Sequence, residues 1–294
     1  MPSVQNMLER QRNPYDEFPT PENVMEYGEE LMEWGKGELF KGKTLFLPCD
    51  DYRWSGFSKW FIPRMKEYGI KKLICRSYEK GGHGKLYINE NSKEWVTDTQ
   101  GQGSFLEPEA EKYRDEADLI LTNPPFSIKI EFGKWCGSKP YIIILPQHVL
   151  TGRFWYIEWW NKRFSMRRIP HRIYPPVPIA WSSNVPNLIP QLQLPAQTLE
   201  EVKKQTSKDW AFKNYDDMDA IEIPAPSLIP DDYTGLMGVP LTAVCYDLKN
   251  YTVLPKTHAP KIEGKSIFER IFIQRKNETQ NTPLPRSTTH TLFD

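Results

Sequence analysis

The sequence ADLILTNPPFS, residues 117–127, decides the fold. Its apolar run predicts a buried strand over Asp118 to Thr122, and the double proline ends that strand abruptly because it fixes the backbone and removes two N–H donors. Similar short apolar runs lie at residues 44–47, 72–75 and 141–145. Segments with helical spacing separate them. Short, continuously apolar strands that alternate with helices predict an α/β fold whose parallel sheet is covered on both faces.

The segments between these strands have their own patterns. Thr20-Pro21-Glu22 is typical of a helix start, and Phe57, Trp60 and the residues after them predict a helix that follows the first strand. Residues 80–104 alternate well enough to predict a hairpin or an added strand. Helices are also predicted at residues 107–116 and 127–136, on either side of the deciding stretch.

Composition excludes several classes of protein. The 294 residues include 38 Lys and Arg against 38 Asp and Glu, so any case for a nucleic-acid partner depends on local patches. No apolar run is long enough to span a bilayer, and the polar first residues do not resemble a secretory signal. The four cysteines lie far apart, so we expect no disulfide framework, no metal site and a cytoplasmic location.

Two loops that follow predicted strands carry unusual chemistry. Pro48-Cys49-Asp50-Asp51, with Ser55 and Phe57 close behind, offers carboxylates suited to ribose hydroxyls or an ammonium group; by itself, this stretch is better explained as a helix cap. Asn123-Pro124-Pro125-Phe126 offers rigid carbonyl acceptors for an exocyclic NH2 group and an aromatic ring for a heterocycle, although Asn-Pro is also a common turn signal. Because ligands bind beyond the carboxyl ends of parallel strands, both loops are candidate site elements.

These motifs resemble S-adenosylmethionine-dependent DNA methyltransferases that act on adenine N6, and most closely the EcoRI methyltransferase family. The tetrapeptide at residues 123–126 matches the hallmark of the larger group. Further blocks follow in the family's order across nearly the whole chain: DEFPTP (16–21), PCDDYRWSGF (48–57), ADLILTNPPFS (117–127), DAIEIP (219–224), MGVP (237–240) and IFERIFIQRK (267–276). The resemblance implies a Rossmann-like methyltransferase sheet in residues 1–185 and a smaller, loop-rich target-recognition region in residues 186–294.

The resemblance also implies roles for individual residues. Asn123 and the Pro124 carbonyl would accept hydrogen bonds from the adenine amine of a flipped-out base, Pro125 would stiffen the turn and Phe126 would stack on the base. The strand that ends at residues 75–78 lacks the usual ribose-binding acid, and Gln102 or Ser104 would replace the acid that contacts the cofactor adenine. The complete set of implied S-adenosylmethionine contacts is Phe18, Thr20, Pro48, Cys49, Asp50, Asp51, Ser55, Phe57 and Gln102.

Residues 153–172 form the best candidate for contact with double-stranded DNA. Six basic residues stand here against one acid, Glu158, and aromatic residues lie between them. The alternative is a helix with core aromatics and a solvated basic face. The basic residues are Arg153, Lys162, Arg163, Arg167, Arg168 and Arg172. A cognate restriction endonuclease would be a functional rather than a physical partner.

Other functions remain open at this point. A cytosine-N4 methyltransferase or a protein-amide methyltransferase would use the same acceptor chemistry. A catalytically inactive DNA-binding scaffold would keep the fold without the reaction. The paired aspartates and the blocks in the carboxyl half favour the adenine-specific enzyme.

Overall fold

The structure, a computed structural model, describes residue 20 and residues 28–146, 165–173 and 177–276. The described chain divides into two compact units. The first holds the described residues up to Gln193 together with Leu241–Asp247, and the second holds Leu194–Pro240 and the described residues from Leu248 onward.

An eight-stranded mixed sheet forms the centre of the first unit, in the order β4-β3-β2-β1-β5-β6-β8-β7. The strands are β1 (Thr44–Leu47), β2 (Lys72–Ser77), β3 (Lys85–Glu90), β4 (Lys93–Asp98), β5 (Leu119–Thr122), β6 (Tyr141–Pro146), β7 (Ser165–Ile173) and β8 (Val177–Ser183). The helices are α1 (Glu29–Trp34), α2 (Gly56–Arg64), α3 (Pro108–Glu116) and α4 (Lys129–Cys136). The predicted α/β fold is therefore confirmed.

The prediction of a parallel sheet is confirmed at the centre and wrong at the edges. Strands β2, β1, β5 and β6 are parallel neighbours, whereas β3 and β4 on one side and β8 and β7 on the other pair antiparallel. Strands β3 and β4 form the hairpin expected within residues 80–104. Its two-residue turn, Asn91-Ser92, has positive φ at both positions, as tight hairpins require.

Helices cover both faces of the central strands. Every residue of β1 and β5 is buried, which explains why their sequences are apolar without alternation. Leu45 and Leu47 pack in the core cluster that contains residues of α2, whereas Phe46 between them packs in the opposite cluster with Tyr113 of α3. Successive side chains of a strand point to opposite faces, so one short strand contributes to both layers.

The second unit contains a smaller sheet of its own. A four-stranded sheet, in the order β11-β14-β10-β9, consists of β9 (Ala220–Glu222), β10 (Leu236–Pro240), β11 (Tyr251–His258) and β14 (Arg270–Arg275). A small ribbon, β12 (Lys261–Ile262) with β13 (Lys265–Ser266), and the helix α5 (Leu199–Lys203) complete it. A buried ion pair joins Arg270 to Glu222 at 2.8 Å across the sheet. No helix in the described parts of the chain has the length and apolar character needed to cross a bilayer.

Candidate active site

The loop at residues 48–55, named here the acidic loop, and the tetrapeptide at residues 123–126 meet at the carboxyl edge of the sheet. Strands β1 and β5 are parallel neighbours, with Leu45 opposite Leu119, so the loops that follow them leave the sheet side by side. A direct contact joins the two loops: Thr122 Oγ1, at the end of β5, donates a hydrogen bond to Asp50 Oδ2 at 2.6 Å. The topology and this contact together place the residue before Asn123 against the acidic loop.

Asp50 points into the protein. Its side chain is 2% exposed, and its other carboxylate oxygen accepts a hydrogen bond from Ser55, the residue just before α2. Burial raises the pKa of Asp50 to about 7, because desolvation outweighs the stabilisation that the Ser55 and Thr122 hydroxyls give to the charged form. The carboxylate therefore bonds to side-chain hydroxyls rather than to the first backbone amides of α2.

Asp51 has a different environment although it is the next residue. Arg53 holds its carboxylate through two guanidinium bonds, of 3.0 and 2.7 Å, and through its backbone N–H at 2.8 Å. Burial acts to raise the pKa of Asp51, but the hydrogen bonds and charge of Arg53 more than offset it and the pKa is lowered. Half of the Arg53 side chain is exposed. Asp51 therefore stays ionised to a lower pH than Asp50 does, and its arginine partner was missing from the sequence prediction.

The tetrapeptide forms a rigid corner between β5 and α4. Asn123 is partly exposed, Pro124 is buried, and a single 3₁₀ turn, Phe126–Ile128, leads into α4. The Oδ1 atom of Asn123, the predicted acceptor, is shielded from solvent. The side chain of Phe126 lies outside the described part of the site.

Thr20, one of the predicted cofactor contacts, also lies at this edge of the sheet. Its carbonyl accepts a hydrogen bond from Gly56 N at 2.8 Å, which places it at the start of α2 beside Ser55. The Thr20 side chain is 2% exposed, and its hydroxyl has no hydrogen-bond partner among the described residues. A buried hydroxyl in that condition fits a site completed by a ligand. Phe18 lies outside the described residues.

Of the remaining predicted cofactor residues, two lie in or next to the acidic loop and one packs in the core. Cys49 is half-buried in the acidic loop, and Pro48 is buried at the end of β1. Phe57 is fully buried in the core, where its ring meets Trp181 edge-on at 6.0 Å, so its position favours packing. The described residues contain no group of three or more His, Cys, Asp or Glu that could hold a metal ion.

Gln102 lies in a loop that an unpredicted ion cluster holds. Arg76 of β2 is fully buried and donates to Glu107 at 2.6 Å, to Glu109 at 2.8 Å and to the Gly103 carbonyl at 3.2 Å. Glu107 in turn accepts from the backbone N–H groups of Gln102 and Gly103, at 2.7 and 3.0 Å. The cluster fixes the loop at the carboxyl end of β2, where the sequence lacks the usual acid. We name it the Arg76 cluster.

Glycines let two backbone segments touch beside the Arg76 cluster. Gly103 has φ +88°, and a Cβ atom there would lie 1.9 Å from the Ser77 carbonyl oxygen. A Cβ atom on Gly84 would lie 2.3 Å from the same oxygen. The Gln102 side-chain oxygen accepts from Gly81 N at 3.2 Å, and Ser104 Oγ accepts from Leu106 N at 3.2 Å. Both candidate adenine contacts thus also stabilise their own loop.

The predicted DNA contacts lie only partly within the described chain. Arg153, Lys162 and Arg163 lie outside it. Arg167, Arg168 and Arg172 belong to β7, the outermost strand on one side of the sheet, which pairs antiparallel with β8 and has a register irregularity between Arg168 and Arg172. The alternative of a helix is therefore wrong for residues 165–173, where the chain is a strand.

Comparison with known proteins identifies relatives of this chain. The family model described as adenine-specific methyltransferase EcoRI matches residues 7–100. The Type II methyltransferase M.EcoRI of Escherichia coli is 26% identical in an alignment 291 residues long. The alignment includes 81% of this chain and 88% of that protein. M.MgeORF184P of Mycoplasma genitalium and M.MpnI of Mycoplasma pneumoniae, also Type II methyltransferases, are 26% and 25% identical over 73% of this chain, covering 76% and 75% of their own lengths. No solved structure matches the chain significantly.

The matched region of the family model contains the acidic loop, and the alignments to the three relatives extend over most of the chain. This agrees with the ordered blocks found in the sequence. The resemblance is confirmed: residues 7–100 match the model of the adenine-specific EcoRI methyltransferase family, and most of the chain is similar to Type II methyltransferases.

Proposed function

We propose that this chain is a site-specific DNA methyltransferase that transfers a methyl group from S-adenosylmethionine to N6 of adenine. The hydrogen bond from Thr122 to Asp50 carries the proposal, because it holds the acidic loop against the segment that leads to Asn123. The relatives are Type II methyltransferases, and the matching family model is adenine-specific.

Residues at the carboxyl edge would hold the cofactor. Thr20 brings a buried hydroxyl without a described partner to the start of α2, and Asp51 brings a carboxylate whose pKa is lowered. Cys49 and Ser55 lie in the same loop, and Gln102 belongs to the loop held by the Arg76 cluster. When bound, S-adenosylmethionine supplies an electrophilic methyl group.

The tetrapeptide would orient the acceptor. The lone pair of the adenine amine is delocalised into the ring, so the amine is a poor nucleophile. Acceptance of its two N–H groups by Asn123 Oδ1 and the Pro124 carbonyl would localise that lone pair and direct it at the methyl group. The double proline keeps these acceptors in place. A base inside a duplex cannot reach them, so the target adenine must be extruded, and Phe126 would stack on it.

The second unit is proposed to contribute to target recognition within the predicted region 186–294. Double-stranded DNA is the proposed partner, and Arg167, Arg168 and Arg172 on β7 are its proposed phosphate contacts in the described chain. The acidic loop and the tetrapeptide support a catalytic role for the first unit.

A transfer assay with tritiated S-adenosylmethionine and mixed-sequence duplex DNA tests the function. The label is expected in N6-methyladenine after digestion to nucleosides. Asn123→Ala is expected to abolish transfer while cofactor affinity, measured by calorimetry, changes little. Label in N4-methylcytosine or in protein would establish one of the other transferases. Cofactor-independent DNA binding with no transfer by the wild-type chain would establish the inactive scaffold.

A further inference from the structure

Asp50 connects three separate parts of the carboxyl edge. Its backbone N–H donates to the Arg76 carbonyl of β2 at 3.1 Å, its Oδ1 atom accepts from Ser55 at the start of α2, and its Oδ2 atom accepts from Thr122 at the end of β5. The side chains of Asp50, Ser55 and Thr122 are exposed by 2%, 1% and 0%. Water therefore does not replace these bonds if they are broken, and each of them constrains the backbone to which it is attached.

We propose that Asp50 is a positioning residue for the methyl-transfer step: through the Thr122 hydroxyl it fixes the backbone from which Asn123 and the Pro124 carbonyl are presented. This inference rests on the proposed function. It replaces the predicted role of Asp50 as a cofactor contact: Asp50 instead holds in place the backbone that presents Asn123 and the Pro124 carbonyl to the target amine. Asp51, whose charge is paired with a half-exposed arginine, keeps its predicted place at the cofactor.

The position of Thr122 explains why one hydroxyl matters. Only one peptide bond separates it from Asn123, and the prolines that follow prevent the corner from adjusting by local rotation. Strand β5 is short, and its pairing with β6 ends at Thr122 opposite Ile143. The Asp50 bond is thus a side-chain anchor at the point where the ladder stops. Methyl transfer needs near-attack geometry, so a small shift of this corner reduces turnover without changing the cofactor contacts.

The decisive variant is Thr122→Val, which removes the hydroxyl and keeps the size of the side chain. Turnover is expected to fall about 10-fold or more, because small misplacements of reacting groups lower the rate by such factors, while cofactor affinity stays within about 2-fold of the wild-type value. Thr122→Ser restores the hydroxyl and is expected to restore most of the turnover. Thr97→Val, on the exposed strand β4, is the matched control and should behave as wild type.

Asp50→Ala provides a second line of evidence that does not depend on the folding of Thr122→Val. It should reduce turnover with little change in cofactor affinity. The double variant should be no less active than Asp50→Ala, because that single variant already lacks the contact with Thr122. A loss of cofactor affinity in Asp50→Ala alone would instead make Asp50 a cofactor ligand. If both variants had lower thermal midpoints but normal turnover when folded, the hydrogen bond between Thr122 and Asp50 would contribute to stability only.

The wild-type chain is assayed first for N6-methyladenine. Its absence overturns the proposed function, and the positioning role with it. Transfer by the wild-type chain together with full turnover of Thr122→Val overturns the positioning role alone.

Discussion

Replacing Arg76 with methionine removes a fully buried cation and leaves two carboxylates facing each other. Glu107 and Glu109 are only 17% and 15% exposed, so water solvates them poorly once the guanidinium is gone. The Gly103 carbonyl also loses its donor from Arg76. Methionine fills much of the space, so the loss is mainly electrostatic.

The structure sets the size of the effect. Removing one partner of a buried ion pair costs about 3–5 kcal/mol. The lower end applies here, because backbone N–H groups of Gln102, Gly103 and Gln100 still donate to the two glutamates. We therefore expect a loss of about 3 kcal/mol in the free energy of unfolding, or a fall of about 6–12 °C in the midpoint of the first unit.

Urea denaturation followed by tryptophan fluorescence measures this loss. Lys41→Met removes an exposed ion pair with Glu38 and should leave the midpoint unchanged. The triple variant Arg76→Met/Glu107→Gln/Glu109→Gln should recover part of the stability, since neutral amides are less costly to bury than unpaired carboxylates. If Arg76→Met were as stable as wild type, the assignment of the cluster as the anchor of the loop at Gly101–Gly103 would be refuted.

Two more predictions concern the same edge of the sheet. The pKa of Asp50 is raised from 3.8 to about 7, so between these pH values the native state binds a proton that the unfolded state has lost, and the contribution of Asp50 to stability falls by up to ~4 kcal/mol as pH rises from about 4 to about 7. The unfolding free energy of the wild type minus that of Asp50→Asn, measured across this range, should show this fall. A difference that does not change with pH would contradict the burial of the carboxyl group. Gly103→Ala should destabilise the chain and weaken cofactor binding, because the added Cβ would collide with the Ser77 carbonyl oxygen. Gly81→Ala is the control: at φ +72° in open space it should cost only about 1–2 kcal/mol of backbone strain. Equal urea midpoints for the two variants would contradict the close approach of Gly103 to Ser77.

Sequence periodicity captured the elements that depend on local pattern. The central strands lie within a few residues of the predicted runs, because strands buried on both faces, such as Leu119–Thr122, are apolar throughout. The meeting of the acidic loop with the tetrapeptide followed from topology, since adjacent parallel strands end at one edge. The antiparallel hairpin of β3 and β4 was predicted from its alternation, whereas the antiparallel pairing of β8 with β6 and β7 was not, because it depends on contacts that the local pattern does not encode.

The side-chain partners could not be read from spacing. Asp50 and Asp51 are neighbours in the sequence, yet one turns inward to hydroxyls and the other pairs with Arg53. Arg76 comes directly after the apolar run at residues 72–75 and looks like an exposed charge in the sequence, because its partners Glu107 and Glu109 follow about 30 residues later. Contacts between distant segments decide both cases. An arginine directly after the apolar run of β2 was the one sequence feature that could have indicated the buried ion cluster.

The first unit is discontinuous in the chain. Leu241–Asp247 returns to it after the chain has built part of the second unit, and Leu192 exchanges backbone hydrogen bonds with Cys245 and Asp247, both of 2.8 Å. Ala243 and Val244 in this returning segment are fully or almost fully buried. A fragment truncated at Gln193 would therefore lack part of its own interior, and no single cut can release either unit whole. Any exchange of the second unit between related enzymes has to respect three junctions, near residues 193, 240 and 247, so grafting must carry two pieces and keep the returning segment in place.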